Sequence, residues 1–551
     1  MKPSRPAIAA SKIAARTLTL PLIVLGLCDN SRAADFYWDA NGVTAGTGGG
    51  GSWNTAGTWR DGSATGTLGN WVNGSSAIFG GTAGTVSGVA ATAISVNQIK
   101  LTSAATFTGT NNLSFVGTYS DSVLAFDALG VTTSINLSQK ITGTINGGLV
   151  LNGSATSTSV VAGDRLYLSN ANNDFVGDVT VLGGKLHTTS FLGNVNNKVI
   201  LIGGAYFNNG GTGSSRNIQV DAASVISSTI SVAPTLSGAI SGTGNLTYLT
   251  SGAVTLTLSG SMSGYSGTFE NASTGGNINL GTTASGGKWK FSSNTTTTLT
   301  ATNGDAIAHG TGAGAGNLLM NGGTLNMNGK SETINGLSGA TGTVRNSLSA
   351  TASTLTVGDG DATATYDGVL INGGTGTLAF TKIGNGTQTL GGNSTYTGGT
   401  TISAGTLLIT GSLGNTAVTV GAAGTLGGDG TIGGGALHFE DGARFVFSTT
   451  ETLTVNGTGG AGVTFVGFGV DDLIGLNSSV ANGIYSLIDG TATVHTANLA
   501  NFGIANAFDL GGGKSAYFEL GSLNVVVIPE PKAALLGGIG VLALLRRRRP
   551  R

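Results

Sequence analysis

Along residues 372–435 the chain alternates apolar and polar positions in very short runs. Gly399-Thr400-Thr401-Ile402-Ser403, Gly405-Thr406-Leu407-Leu408-Ile409 and Ala417-Val418-Thr419-Val420 are examples, each bounded by glycine or Gly-Asn steps. Runs of this length are too short for helices and suit the rungs of a stacked β structure. Glycine takes positive φ at no steric cost, so these residues mark corners where the chain turns. A rung whose edges stay unpaired until the next one stacks on it is the unit of a β-solenoid. The pattern therefore predicts an all-β body.

The same alternation extends outward from this stretch. Residues 81–165 keep it with sparser glycine, as in Ile94-Ser95-Val96 and Ile141-Thr142-Gly143-Thr144-Ile145. Residues 166–209 form a degenerate copy: aligning Phe175 with Tyr396 puts Gly177 on Gly398, Val181 on Ile402 and Leu186 on Leu407. A third partial copy centres on Tyr265-Ser266-Gly267-Thr268. Strand candidates near the C-terminus are Ala443–Phe447, Thr452–Val455, Ile484–Ile488 and Leu523–Ile528.

Gly376-Thr377-Leu378, Tyr396-Thr397-Gly398-Gly399-Thr400-Thr401-Ile402, Ala404-Gly405-Thr406-Leu407 and Leu413-Gly414-Asn415 resemble the autotransporter-associated β-strand repeat of bacterial surface proteins. Gly322-Gly323-Thr324-Leu325 and Thr333-Ile334-Asn335-Gly336-Leu337 resemble its flanks, which widens the likeness to residues 317–435. The resemblance implies a right-handed parallel β-helix and no catalytic residue.

Composition sharpens the picture in two respects. Glycine reaches 97 residues, a level compatible with disorder. Proline numbers only 7 and hydrophobic residues make up 39%, so a core can form. The net charge of −1 conceals an acidic body, because Lys2, Arg5, Lys12, Arg16 and Arg32 stand at one end and Lys532, Arg546, Arg547, Arg548, Arg549 and Arg551 at the other. An acidic body offers no electrostatic footprint for nucleic acid.

The ends carry targeting signals by their pattern. Residues 1–33 combine a basic start, the apolar run 17–27 and Ser31-Arg32-Ala33, which predicts a secretory signal peptide cut between Ala33 and Ala34. The one cysteine, Cys28, falls inside it, so the exported body has no disulfide framework. At the other end Pro529-Glu530-Pro531 precedes the apolar run 533–545 and then Arg546, Arg547, Arg548 and Arg549. This resembles the PEP-CTERM sorting signal, and implies a transmembrane helix over 533–545, a stop-transfer arginine cluster and processing by an exosortase-type enzyme near Pro529, Glu530 and Pro531. Such a helix is roughly 20 Å long against a core of ~30 Å, so local thinning or arginine snorkelling has to make up the difference.

The expected organisation is thus a signal peptide (1–33), an aromatic-rich N-terminal cap (34–80), a solenoid body (81–435), a C-terminal β cap (436–528) and the sorting segment (529–551), with short hydrophobic helices at both termini. Trp38, Trp53, Trp59 and Trp71 lie in the N-terminal segment, where large rings can cover the first open rung or stack on sugars.

Chemistry is sparse. His187, His309, His438 and His495 show no metal-ligand spacing, and the chain has no G-x-S-x-G, H-E-x-x-H or P-loop sequence. Asp359, Asp361 and Asp367 match neither an EF-hand nor a nonapeptide calcium repeat and read as turn residues. Asp471-Asp472 and Glu440-Asp441 are adjacent, and neighbours on a strand point to opposite faces. No catalytic, cofactor-binding or metal residue is assigned. The expected protein is an exported, non-enzymatic surface or matrix component with a structural or adhesive role. Its partners are export machinery, signal peptidase, the sorting enzyme and an exopolysaccharide. The alternative is a secreted polysaccharide lyase or glycoside hydrolase on the same fold.

Overall fold

The computed structural model describes residues 33–530 except for short stretches, the widest of them 154–164, and runs unbroken from 316 to 457. The expected leader run 17–27, Cys28, Pro531, the apolar run 533–545 and the four arginines lie outside the described residues.

Alternation does the folding work. In strands such as Thr377–Lys382 and Ala352–Val357 every second side chain is buried and its neighbours are not. One face of each strand thus turns to a common interior and the other to water. Successive turns then stack in parallel. Leu149 pairs with Val179, Val179 with Val199, Val199 with Ile218, and Ile218 with Ile240. On a second side Leu246 pairs with Phe269, Phe269 with Trp289, Trp289 with Leu318, and Leu318 with Leu337. The turns vary in length, from 18 residues between Thr400 and Val418 to 29 between Trp289 and Leu318, which is the scale of solenoid repeats. The fold is a parallel β-solenoid around one continuous apolar core. No α-helix occurs among the described residues.

The strands are not all as short as the sequence runs suggest. Thr400–Ile409 is one strand of 10 residues, and Asn317–Asn326, Gly336–Asn346 and Val418–Gly427 are comparable. Gly405, expected at a break between two runs, instead lets the strand bend: its φ is +67° and the register to the next turn shifts between Ile402 and Ala404. The corner is therefore a bulge within a continuous ladder.

The aromatic positions of the three repeat copies are interior. Phe175, Tyr265 and Tyr396 are 0%, 1% and 0% exposed. The Tyr396 hydroxyl lies 2.6 Å from Thr400 Oγ1, and the Tyr265 hydroxyl donates to the Gly244 and Thr268 carbonyls.

Both ends of the stack change from parallel to antiparallel pairing. Asp35–Trp38 pairs parallel with Ser76–Phe79 on one side and antiparallel with Trp59–Asp61 on the other. Beneath this flap the Trp38, Trp59 and Phe79 rings meet in edge and tilted contacts. Towards the C-terminus Gly483–Asp489 pairs antiparallel with Leu523–Pro529, and that strand with Lys514–Leu520. The Phe439, Phe465, Phe468 and Phe518 rings fill the interior there. Antiparallel flaps occupy edges that would otherwise template further pairing.

Candidate functional site: ionisable groups of the central turns

Three ionisable groups of the central turns stand out by burial and geometry. Glu332 is 1% exposed. It occupies an inward column whose later members are Leu355, Phe380, Thr400, Val418 and Leu437. Its carboxylate accepts the Ala306 and Ile307 backbone N–H groups at 2.8 and 2.6 Å. Burial pushes its pKa up to about 8, against the pull of those two hydrogen bonds. The carboxylate thus ties Ala306 and Ile307, two residues before His309, to the wall of the solenoid.

His309 bonds two carboxylates. Its Nε2 lies 2.8 Å from Asp305 Oδ2 and its Nδ1 2.6 Å from Asp359 Oδ2. Burial alone would lower the imidazole pKa; the hydrogen bonds and charges of Asp359 and Asp305 outweigh it, and the net shift is upward. With a carboxylate on each nitrogen the ring acts as a doubly donating imidazolium that clasps two segments 50 residues apart in sequence.

Lys382 is 0% exposed and stands in the next inward column, between Val357 and Ile402. Its Nζ donates to the carbonyls of Ile383, Gly384 and Ala404 at 2.6, 2.9 and 3.4 Å. Burial lowers its pKa to about 8, and the nearby Asp361 charge opposes the shift. The ammonium thus gathers three carbonyls from two successive turns around the corner.

The three aspartates grouped by sequence do not converge. Asp359 is taken up by His309. Asp361 has φ +59° and accepts the Asn385 backbone N–H at 2.5 Å. Asp367 is exposed at a turn. The two ring nitrogens of His309 point in opposite directions, so Asp305 and Asp359 cannot share one ion with it. Among the described residues no group of three or more His, Cys, Asp or Glu is arranged to hold a metal.

The remaining sequence candidates are distributed along the chain. Asp472 Oδ2 accepts the Gly469 N–H within a single 3-10 turn, beside exposed Asp471. Glu440 and Asp441 are exposed, and Ala443 N–H bonds the Glu440 carbonyl. Trp38, Trp53 and Trp59 are 1%, 1% and 0% exposed, which leaves none of these rings a face for a sugar. Trp71 is half-buried against Phe36, Trp53 and Trp59. Ala33 is buried, and the Ala34 carbonyl accepts the Ser76 N–H at 2.9 Å. Pro529 ends its strand opposite Lys514, and Glu530 N–H bonds the Gly513 carbonyl at 2.8 Å.

Sequence reading passed over Glu332, Lys382 and the His309 clasp. The first two carry a readable signal, a charged residue in the buried phase of an alternating run: Leu378, Phe380, Lys382 is such a series. The clasp has none, because nothing local links residue 309 to residue 359.

A parallel β-solenoid with antiparallel ends and polar outer faces is a class of architecture; comparison with known proteins adds the family context. Residues 380–409 match the family described as passenger-associated-transport-repeat. They comprise the last strand positions before Lys382, the strand Thr387–Leu390 and the bent strand Thr400–Ile409. The chain is similar to the adhesin BmaC autotransporter of Brucella suis biovar 1 (strain 1330), at 32% identity over 212 residues. That alignment covers 37% of this chain and 6% of the adhesin, so the chain spans a small fraction of that relative's length. No solved structure matches. No helix among the described residues is long and apolar enough to cross a membrane.

Proposed function

We propose that this protein is an exported, non-enzymatic surface or matrix component that works by adhesion. The observation that carries the reading is the likeness to an autotransporter adhesin over 212 residues, on a solenoid whose outer faces are polar. A stacked rod exposes long, regular faces and suits contact with an extended surface. The ionisable groups of the central turns fit this reading, since Glu332 and Lys382 are spent on backbone groups and His309 on joining two aspartates. In this proposal the signal peptide (1–33) and the Pro529–Arg551 segment direct the chain through export, signal peptidase and an exosortase-type enzyme to the cell surface or an exopolysaccharide matrix.

The test is adhesion by the full chain. Cells that produce it should attach to their matrix or to neighbouring cells better than cells that lack it. Equal attachment overturns the reading. Deleting Pro529–Arg551 should change where the chain accumulates, and unchanged localisation removes the sorting step. Release of new reducing or unsaturated ends from polysaccharides would instead establish the enzymatic alternative.

A further inference from the structure

The outer face of the central turns carries an ordered column. Thr333, Thr356, Thr381, Thr401 and Thr419 are partners on successive turns, and the column continues through His438 to Thr464. Each of these residues is half-buried while the residues on either side of it are buried, so all point outward. Parallel stacking sets their spacing at roughly 4.8 Å along the solenoid axis. The positions two residues before Thr333, Thr356, Thr381, Thr401, Thr419 and His438 are held by Ser331, Thr354, Ala379, Gly399, Ala417 and Ala436. The threonines therefore stand beside a floor with no bulky side chain. From Thr354 to Thr419 neither column contains a charge.

We propose that this threonine strip is a docking track for an extended, uncharged polysaccharide lying along the solenoid axis. The inference rests on the adhesive reading above and names its ligand class and its surface. Each hydroxyl both donates and accepts, as sugar hydroxyls do, and each threonine methyl offers apolar contact to a ring face. One hydroxyl per turn suits a polymer with a short regular repeat rather than a compact molecule. β-Branched side chains on a paired strand are stiff at χ1, so little rotamer freedom is lost on binding. Between Thr354 and Thr419 the two columns have no cation to balance an anionic polymer and no large aromatic or apolar anchor of the kind that drives protein–protein contact.

The experiment measures retention of the full chain on neutral polysaccharides (cellulose, amylose, dextran and mannan) and on anionic ones (alginate and hyaluronate). Two strip variants are compared with wild type. One combines Thr356→Val, Thr381→Val, Thr401→Val and Thr419→Val, which removes hydroxyls and keeps the branched shape. The other, Gly399→Glu, adds bulk and charge where an added Cβ meets nothing closer than 4.0 Å. Thr257→Val with Thr298→Val, outward on a different sheet, is the control. Thermal melting confirms that all are folded. The expected result is retention of wild type and control on at least one neutral polymer, with a loss of roughly tenfold or more in both strip variants. Equal retention of the strip variants overturns the proposal, as does stronger retention on the anionic polymers. Cell attachment without retention on any neutral polymer overturns it and leaves the adhesive reading standing. Loss of cell attachment as well overturns both.

Discussion

Glu332 and His309 bind a proton more tightly in the folded chain than in the unfolded one. For Glu332 the stabilisation linked to that proton is complete below the ordinary carboxyl value of 4.5 and lost as pH rises to about 8. His309 has the same sign, its contribution fading as pH rises through its raised pKa. Lys382 is opposite: its depressed pKa of about 8 favours the folded chain above 10.5 and costs stability as pH falls to about 8. Together these groups predict a melting temperature that declines from pH 5 towards 8 and recovers between about 8 and 10.5, which a series of thermal scans reads directly. In Glu332→Leu the decline should shrink to what His309 and the partly buried Asp472, whose pKa burial also raises, contribute. Near pH 5 that variant should also melt lower than wild type, because Ala306 and Ile307 N–H lose their acceptor at about 1–3 kcal/mol per orphaned group, and the gap should narrow towards pH 8. A decline undiminished in Glu332→Leu would remove the carboxyl from this account. Lys382→Met keeps the volume and removes the titrating amine, so the recovery between about 8 and 10.5 should vanish from its thermal scans, and a recovery of unchanged size would remove Lys382 from this account.

At the scale of the strand, Gly405 and Gly399 make a controlled pair within a few residues. Gly405 sits at φ +67°, and a Cβ there would lie 2.2 Å from the Gly384 carbonyl oxygen and 2.6 Å from that of Gly386. Gly399 has only the Ala417 carbonyl at 4.0 Å. Gly405→Ala should therefore cost roughly 1–3 kcal/mol or more, and Gly399→Ala under about 0.5 kcal/mol, by urea unfolding. Equal costs would mean that the bend in Thr400–Ile409 tolerates an L side chain. Such elements were largely legible in the chain. Alternation announced the strands, and the aligned Phe175 and Tyr396 share a buried setting. The union of two runs into one strand was not legible, because a glycine that ends a strand and one that bends it look alike in sequence. What separates them is the turn beneath: Ala404 to Leu408 keep pairing with Ala423 to Gly427 after the bulge. The threonine column was visible only as scattered Thr residues. Its alignment depends on how many residues each turn spends on corners, and the corners vary in length.

For the whole molecule, stability is close to a sum over neighbouring turns, since each turn touches mainly the one before and the one after. Removing one complete turn should then leave a foldable chain, provided the cut joins equivalent positions. Thr400 and Val418 are such positions, being partners in one column. Deleting Thr400–Ala417 places Val418 on Phe380, the former partner of Thr400, with an apolar residue on an apolar residue. The deletion also preserves phase, so Thr419 takes the outward place of Thr401 and Val420 the inward place of Ile402. The ends behave differently because their strands pair antiparallel and their rings close the interior. Trp59 is 0% exposed and touches Trp38, Trp53, Trp71 and Phe79, and Trp59→Ala should cost about 3–5 kcal/mol and open the first turns to protease. Limited proteolysis distinguishes the two changes. The turn deletion should give a resistant body one turn shorter, while Trp59→Ala should give a body trimmed inward from residue 35. If the deletion is digested as readily as the Trp59 variant, the turns are not interchangeable units and the additive description of this solenoid fails.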